Sequence, residues 1–500
     1  MLFTEALNKI REGADLEINP SFERLRELSL TENPQETIYG SLVYKTRIKG
    51  RSAKLTEIVE GEPTQEQKET IQKVAEHLQG KKLIQIDRKM CLRNPFHCRA
   101  YISEAYAHLA YLWGRMLFDP EQGKEPDFTS VQVPEWPETK IIADPKTCTT
   151  FILGSDYTGE LKKANLRMAM YRTKQAGGLG LHAGSKVLKV LTNEGKLEEK
   201  GVLLFGLSAT GKTTLTCHHH WLNKEKGEGT IIRQDDVVLM QKDSYCRGTE
   251  DNFYIKTDAL EPEDQPILYK AARSRNALLE NVKALDNGEM DFFDDSITTN
   301  GRAVVLRSEM EDTNKDIDLP QTHMIIFLTR RDTIIPPVAK LTNEQAAAFF
   351  MLGESMGSAA SDVSPGKPRR VVGTNPFIIG SEEEEGNRFY ELISANPHLD
   401  CYFLNTGRVG RNDGPGEKIT VHDSATIIKE IARGTVEWKK DPDWGYEILD
   451  SAPEVELSKF HPEKHYTKEQ YAKLVEELRK ERMDWLSRFK KLRPEIKNAI

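Results

Sequence analysis

Residues 202–216 read VLLFGLSATGKTTLT. The apolar run from Val202 to Phe205 predicts a buried strand, and Gly206-Leu-Ser-Ala-Thr-Gly211 predicts a turn that delivers Lys212-Thr213-Thr214 to the start of a helix. This is the phosphate-loop pattern GxxxxGK[ST] in the setting that gives it meaning. Glycines let the backbone curl until several N–H groups face one phosphate, and Lys212 adds a full positive charge. The hydroxyl of Thr213 is placed to meet the Mg²⁺ that accompanies a nucleotide. Gly206, Ser208, Ala209, Thr210, Gly211, Lys212, Thr213 and Thr214 are therefore the candidate nucleotide-binding residues.

Working outward, two strands at Lys186–Leu191 and Val202–Phe205 flank a turn at Asn193-Glu194-Gly195. After the loop, Thr230–Gln234 reads as a strand ending in Asp235-Asp236, where a carboxylate would bind metal directly or through water. Upstream, Leu83–Asp87 and Phe151–Gly154 predict strands and Glu160–Tyr171 a helix, and Arg99–Phe118 carries apolar residues at helical spacing. Gly177-Gly178-Leu-Gly180 marks a place where backbone passes close to a neighbour, just before His182. Downstream, Met324–Leu328 and Cys401–Leu404 predict buried strands, and Thr467–Leu492 an amphipathic helix. The acidic run Glu382–Glu385 reads as a solvated helix start. Ser358–Arg370 is a Gly/Ser/Pro-rich loop whose Lys367, Arg369 and Arg370 could form a lid over phosphates.

A chain of 500 residues with 38% hydrophobic and 30% charged residues suits a globular protein of two or three domains. A net charge of −8 gives no basic field, so nucleic acid is not expected as a partner. The first residues lack a signal-peptide core, and no apolar run reaches membrane-spanning length, so a cytoplasmic protein is expected. Six scattered cysteines are expected to be reduced thiols. Cys91 with His97 and Cys98, and Cys217 with His218–His220, lack paired zinc-ligand spacing, and the triple histidine is expected on the helix after the phosphate loop.

These features alone describe a phosphoryl-transfer protein. A colinear series narrows the reading: GRSAKLTEIV at 50–59, YTGELKK at 157–163, LGLHAGSK at 179–186, GLSATGKTTLT at 206–216 and Asp235-Asp236 are followed by FYIK at 253–256 and ALLENV at 277–282. DDSITTNGR at 294–302, THMIIFLT at 322–329, PPVAKLT at 336–342 and YFLNTG at 402–407 complete it. In this order the segments resemble the ATP-type phosphoenolpyruvate carboxykinase family over nearly the whole chain. The resemblance implies an α/β, two-domain, P-loop-containing carboxykinase-like fold with the active site in the interdomain cleft. It places an N-terminal substrate domain at residues 1–180 and a C-terminal nucleotide domain at 181–500, and closure would keep water from the reacting enolate.

The implied reaction decarboxylates oxaloacetate and phosphorylates the resulting enolate with ATP, giving phosphoenolpyruvate, ADP and CO₂ in gluconeogenesis, or runs in reverse. By matching motif, Lys163, His182 and Asp236 would bind Mn²⁺, and Lys212 and Thr213 would hold the β/γ-phosphates and Mg²⁺. A ligating lysine must be neutral, which a neighbouring dication favours. Arg51 and Arg302 would fork onto carboxylate and phosphoryl oxygens. Tyr157 would position substrate or CO₂, Lys256 would add charge near the γ-phosphate, Asp235 would share the metal end of its strand, and Glu280 would lie close to the ribose. Lys418, Ile419 and Ser424 fall in the segment that resembles the adenine site. Partners are small molecules, the protein being a monomer or homo-oligomer with no membrane.

Some positions depart from the family pattern. Val237-Val238 replace Glu-His, Ala209 replaces a glycine, Lys418 an arginine and Ser424 a threonine. The stretch between Thr213 and Asp236 is also longer than usual. Two other readings stay open on residues alone: a P-loop kinase acting on a protein or small hydroxyl compound, and a catalytically silent nucleotide-binding regulator.

Overall fold

The structure, a computed structural model, describes residues 2–50, 53–207, 210–357, 367–410 and 416–500. Arg51, Ser208, Ala209 and residues 358–366 of the expected lid lie outside the described residues. The fold is mixed α/β and divides into two compact units. One is Met1–Arg172 with Thr249–Pro262 and Ile267–Met310; the other is Thr173–Gly248 with Glu263–Pro266 and Glu311–Ile500. The first thus runs past the single boundary expected near residue 180, because strands from 253–305 complete one of its sheets.

The first unit holds a seven-stranded mixed sheet in the order Asp15–Ile18, Lys82–Met90, Phe96–Ser103, Phe128–Val133, Thr149–Leu153, Lys140–Asp144, Thr56–Ile58. The helix expected over Arg99–Phe118 is corrected here. Residues Phe96–Ser103 are a strand antiparallel to Lys82–Met90, and helix begins only at Ala107, running to Met116. The reason is burial: nearly every residue of Ala107–Met116 is covered, so the apolar spacing that suggested one long helix belongs to two different buried elements.

A second sheet in this unit orders Phe253–Lys256, Arg302–Val305, Leu278–Glu280, Leu42–Tyr44, Gln35–Glu36. Its register sets Lys256 opposite Arg302, Arg302 opposite Glu280 and Glu280 opposite Tyr44. Facing positions in adjacent strands project to the same side, so four residues from distant parts of the sequence form one row.

The other unit is built on an eight-stranded sheet, ordered Gly229–Gln234, Ala183–Leu191, Leu197–Gly206, Met324–Thr329, Asp400–Asn405, Val338–Leu341, Glu447–Ser451, Glu437–Lys440. Its three central strands, beginning with Leu197–Gly206, are parallel. Leu203, Phe205, Ile325, Phe327, Cys401 and Phe403 enter one core, and Val202, Leu204, Met324, Ile326, Leu328, Tyr402 and Leu404 the other. Alternate residues buried on opposite faces explain why these strands read as unbroken apolar runs. Ligands of such sheets bind beyond the carboxyl ends of the parallel strands. Here those ends are Gly206, Thr329 and Asn405, and Thr406 donates from its hydroxyl to the Thr210 carbonyl at 2.9 Å.

Among the described residues no helix is long and apolar enough to cross a membrane. All six cysteines are buried and outside any disulfide.

Candidate active site

The phosphate loop leaves the sheet at Gly206, where a Cβ would lie 2.3 Å from the Thr210 hydroxyl oxygen, so only glycine fits this turn. Gly211 sits at φ 88° and precedes the helix Lys212–Thr216. Thr210 bonds back to the Leu207 carbonyl at 2.8 Å, and Thr214 accepts from Gln265 Nε2 at 2.9 Å. The helix is only one turn, so the expectation that His218–His220 decorate it is corrected: they lie after its end. His218 and His220 are buried, and His220 meets Lys186, which also donates to the Leu215 carbonyl. Burial pulls the Lys186 ammonium down to about 7.

Lys212 reaches Asp236 Oδ1 at 3.0 Å, the Asp236 carbonyl at 3.2 Å and His182 Nε2 at 3.2 Å. His182 Nδ1 stands 2.6 Å from the Thr374 carbonyl oxygen, which can only accept, so that nitrogen carries a proton. Its Nε2 then faces Asp236 Oδ1 at 3.0 Å. The Lys212 ammonium stands 3.2 Å from that nitrogen and 3.0 Å from that oxygen, so positive charge lies against both. One imidazole nitrogen and one carboxylate oxygen converging on a single point fit a divalent ion of the Mn²⁺ type. Among the described residues no group of three or more His, Cys, Asp or Glu gathers for a metal.

Asp235 is buried beside this pair. Val237 and Val238 are buried too, Val238 within a core cluster and within the strand Val238–Met240 that pairs with Leu179–Leu181. The departure from Glu-His therefore replaces polar side chains behind Asp236 with packed apolar ones. Gly178, in the glycine cluster before His182, would place a Cβ 2.4 Å from the Met240 carbonyl oxygen, the close approach its sequence suggested.

In the first unit, Tyr157 is buried and its hydroxyl accepts from Asn300 Nδ2 at 3.2 Å. Asn300 also donates to the Lys49 carbonyl at 2.8 Å and accepts from Arg302 Nη2 at 2.8 Å. Nothing in the sequence of the TTNGR segment singles out Asn300 as this hub, because its partners Lys49 and Tyr157 are distant in the chain. Lys163 Nζ lies 5.5 Å from the centre of the Tyr157 ring, and its neighbour Lys162 pairs with buried Glu250 at 2.8 Å. Lys256 pairs with Asp258 at 2.8 Å and stays partly open to solvent.

Glu280 is fully buried. One of its oxygens accepts from the Thr158 N–H at 2.9 Å and hydroxyl at 2.7 Å, and the other from the Tyr254 hydroxyl at 2.6 Å. Both oxygens are thus engaged inside the unit, at the first turn of helix Thr158–Gln175, where a carboxylate also suits the helix N-terminus.

Around the segment expected to hold the base, Lys418 is exposed, Ile419 packs with Val409 and Phe460, and Ser424 is buried in helix Val421–Arg433. Of the expected lid cations, Arg370 is turned inward: it pairs with Glu354 at 3.0 Å and Glu481 at 2.5 Å. Glu385, expected in a solvated helix start, is buried and pairs with Lys174 at 2.7 Å.

The family model described as phosphoenolpyruvate carboxykinase matches residues 14–458. The chain belongs to the phosphoenolpyruvate carboxykinase family. It is 37% identical over 393 residues to phosphoenolpyruvate carboxykinase (ATP) of Aeropyrum pernix, covering 78% of each chain. Proteins of the same name from Brucella melitensis and Brucella anthropi are 29% and 27% identical, over 65% and 77% of this chain and 58% and 73% of theirs. Membership in the carboxykinase family favours the carboxy-lyase reading over a general P-loop kinase or a silent regulator.

Proposed function

We propose that the protein is an ATP-dependent phosphoenolpyruvate carboxykinase of the cytoplasm, acting on oxaloacetate and ATP or, in reverse, on phosphoenolpyruvate, CO₂ and ADP. One observation carries the reading beyond family membership. The phosphate-loop lysine lies within hydrogen-bond distance of both His182 and Asp236, so the cation for the transferring phosphoryl group and a metal-binding pair occupy one place.

In the proposed reaction the bond to the departing carboxyl group breaks and its electron pair stays behind as an enolate. The enolate oxygen then bonds to the γ-phosphorus as the bond to ADP breaks. Lys212 and the backbone of the phosphate loop hold the phosphates, and Thr213 would hold Mg²⁺. His182, Asp236 and Lys163 would hold Mn²⁺, which when bound supplies positive charge to the enolate and phosphoryl oxygens. Arg302, fixed by Asn300, and Arg51 bind substrate carboxylate and phosphoryl oxygens, and Tyr157 fixes the substrate's orientation. The segment that carries Lys418, Ile419 and Ser424 would hold the base.

Purified protein given oxaloacetate, ATP, Mg²⁺ and Mn²⁺ should release phosphoenolpyruvate and ADP in equal amounts. ADP formation without phosphoenolpyruvate would refute the assignment. A second expectation concerns the metal. His182→Gln should weaken Mn²⁺ binding, followed by electron paramagnetic resonance, at least about tenfold while leaving ATP affinity near wild type. Unaltered Mn²⁺ binding would remove His182 from the ligand set.

A further inference from the structure

Helix Ala107–Met116 begins with a buried imidazole, His108, that lies outside every motif quoted above. Its Nδ1 is 2.5 Å from Glu32 Oε2, and its Nε2 is 3.1 Å from the Asp156 carbonyl oxygen. The His108 backbone N–H also donates to Glu32 Oε1 at 2.8 Å. An ionised carboxylate and a carbonyl oxygen have no proton to give, so both ring nitrogens face acceptors. Only the imidazolium satisfies both contacts. Tyr44 stacks on the ring, with centres 5.4 Å apart and planes 20° from parallel.

The titratable groups facing the ring are Glu32 from the turn Leu30–Glu32, Tyr44 from strand Leu42–Tyr44, Asp156 and Glu280. Burial works against the charged ring, but the hydrogen bond and charge of Glu32, supported by Glu280, outweigh it and the net direction is upward.

The Asp156 peptide that His108 holds is a junction. The Asp156 carboxylate accepts from the backbone N–H groups of Arg47 at 2.8 Å and Ile48 at 2.9 Å. Its sequence neighbour is Tyr157, whose hydroxyl meets the Asn300 amide that also binds Arg302 and the Lys49 carbonyl. Residues 47–50 run directly into Arg51 in the sequence.

We infer that His108, as an imidazolium, is a positioning residue for the substrate side of the reaction: it fixes the Asp156–Tyr157 peptide and, through the Asp156 carboxylate, the segment that carries the chain into Arg51. This rests on the carboxykinase reading. When the ring loses a proton, the one that remains stays with Glu32, and a lone pair is left facing the carbonyl oxygen of Asp156. The junction loosens, and the small substrate is held less well. The nucleotide, bound by residues of the other unit, is not affected.

The test compares wild type with Glu32→Gln, which keeps an acceptor for Nδ1–H but removes the anion that sustains the charged ring. KM for phosphoenolpyruvate is measured from pH 6 to 9.5 in the carboxylating direction, alongside the Kd for ADP. In wild type KM should climb about tenfold per pH unit once His108 deprotonates. In Glu32→Gln the climb should begin at least about one unit lower, with kcat at pH 6.5 and the Kd for ADP unchanged. Superimposable KM profiles for the two proteins would overturn the proposal. A second measurement needs no turnover: in ¹⁵N-histidine-labelled wild type, the resonances that move in Glu32→Gln should show both nitrogens protonated at pH 7. A neutral tautomer there would also overturn it. If neither protein makes or consumes phosphoenolpyruvate while the nitrogen shifts report an imidazolium, the carboxykinase reading is what fails.

Discussion

Lys212→Ala is expected to lower the rate of phosphoenolpyruvate formation by about 10³-fold, the scale seen when one preorganised donor to a developing charge is removed from an enclosed site. Two losses combine. The substitution takes away the cation that meets the phosphates, and it leaves His182 Nε2 and Asp236 Oδ1, 3.0 Å apart, without the ammonium that now sits against both. The second loss distinguishes this site from an ordinary phosphate loop, because the lysine here also stands against an imidazole and a carboxylate. Steady-state assays at saturating ATP and metal, with ADP binding measured separately, provide the check. A variant that turns over within tenfold of wild type would show that Lys212 does not meet the transferring group.

Glu354→Gln is expected to destabilise the protein by about 3–5 kcal/mol, the cost of leaving a buried charge without its partner. Glu354 and Arg482 are both essentially without solvent contact and meet at 2.5 Å and 3.2 Å, and Arg370 adds a third contact at 3.0 Å. Glu481 takes the remaining arms of Arg370 and Arg331. Burial pushes the Glu354 carboxyl up, but Arg482, Arg370 and Arg331 outweigh it and hold it far below its ordinary value of 4.5. Because the folded-state value is depressed, this contribution is present above about pH 4.5 and is lost as the pH falls toward the folded-state value. Denaturant midpoints at pH 7 should therefore separate wild type from Glu354→Gln widely, and the gap should narrow as the medium is acidified below about pH 4. Equal midpoints at pH 7 would mean that the amide satisfies the arginines as well as the carboxylate does.

Much of the second unit could be read directly. The apolar runs around Val202, Met324 and Cys401 are central strands covered on both faces, and that environment writes itself into sequence as unbroken hydrophobicity. The strand, turn and helix around Gly206 and Gly211 were equally legible, because both glycines answer to local demands of the backbone. The capped helix Lys468–Leu486 likewise falls within its expected span.

The first unit was harder. Its second sheet joins strands from residues 35–44 to others from 253–305, pairings that no local period encodes. Arg99–Ser103 reads as helix in sequence because a short apolar run has no distinctive period until its partner strand is known. Charged residues misled in the same way. Arg370 and Glu385 look like surface groups in sequence, yet each is buried against a distant opposite charge. The engagement of Glu280 with Thr158 and Tyr254, and the meeting of His108 with Glu32, arise only after folding brings separated segments together.

The division of the first unit among three stretches of chain has a consequence for synthesis. The strand Leu42–Tyr44 leaves the ribosome early, but its parallel neighbour Leu278–Glu280 and the strand beyond, Arg302–Val305, follow more than 230 residues later. At roughly 5–20 residues per second that is a wait on the order of ten seconds or longer, during which one edge of the growing sheet has no partner. The phosphate-loop stretch Thr173–Gly248 emerges inside that interval. The nascent polypeptide must therefore carry two unfinished bodies at once, and its period of greatest exposure to chaperones and to mispairing falls in the middle of translation.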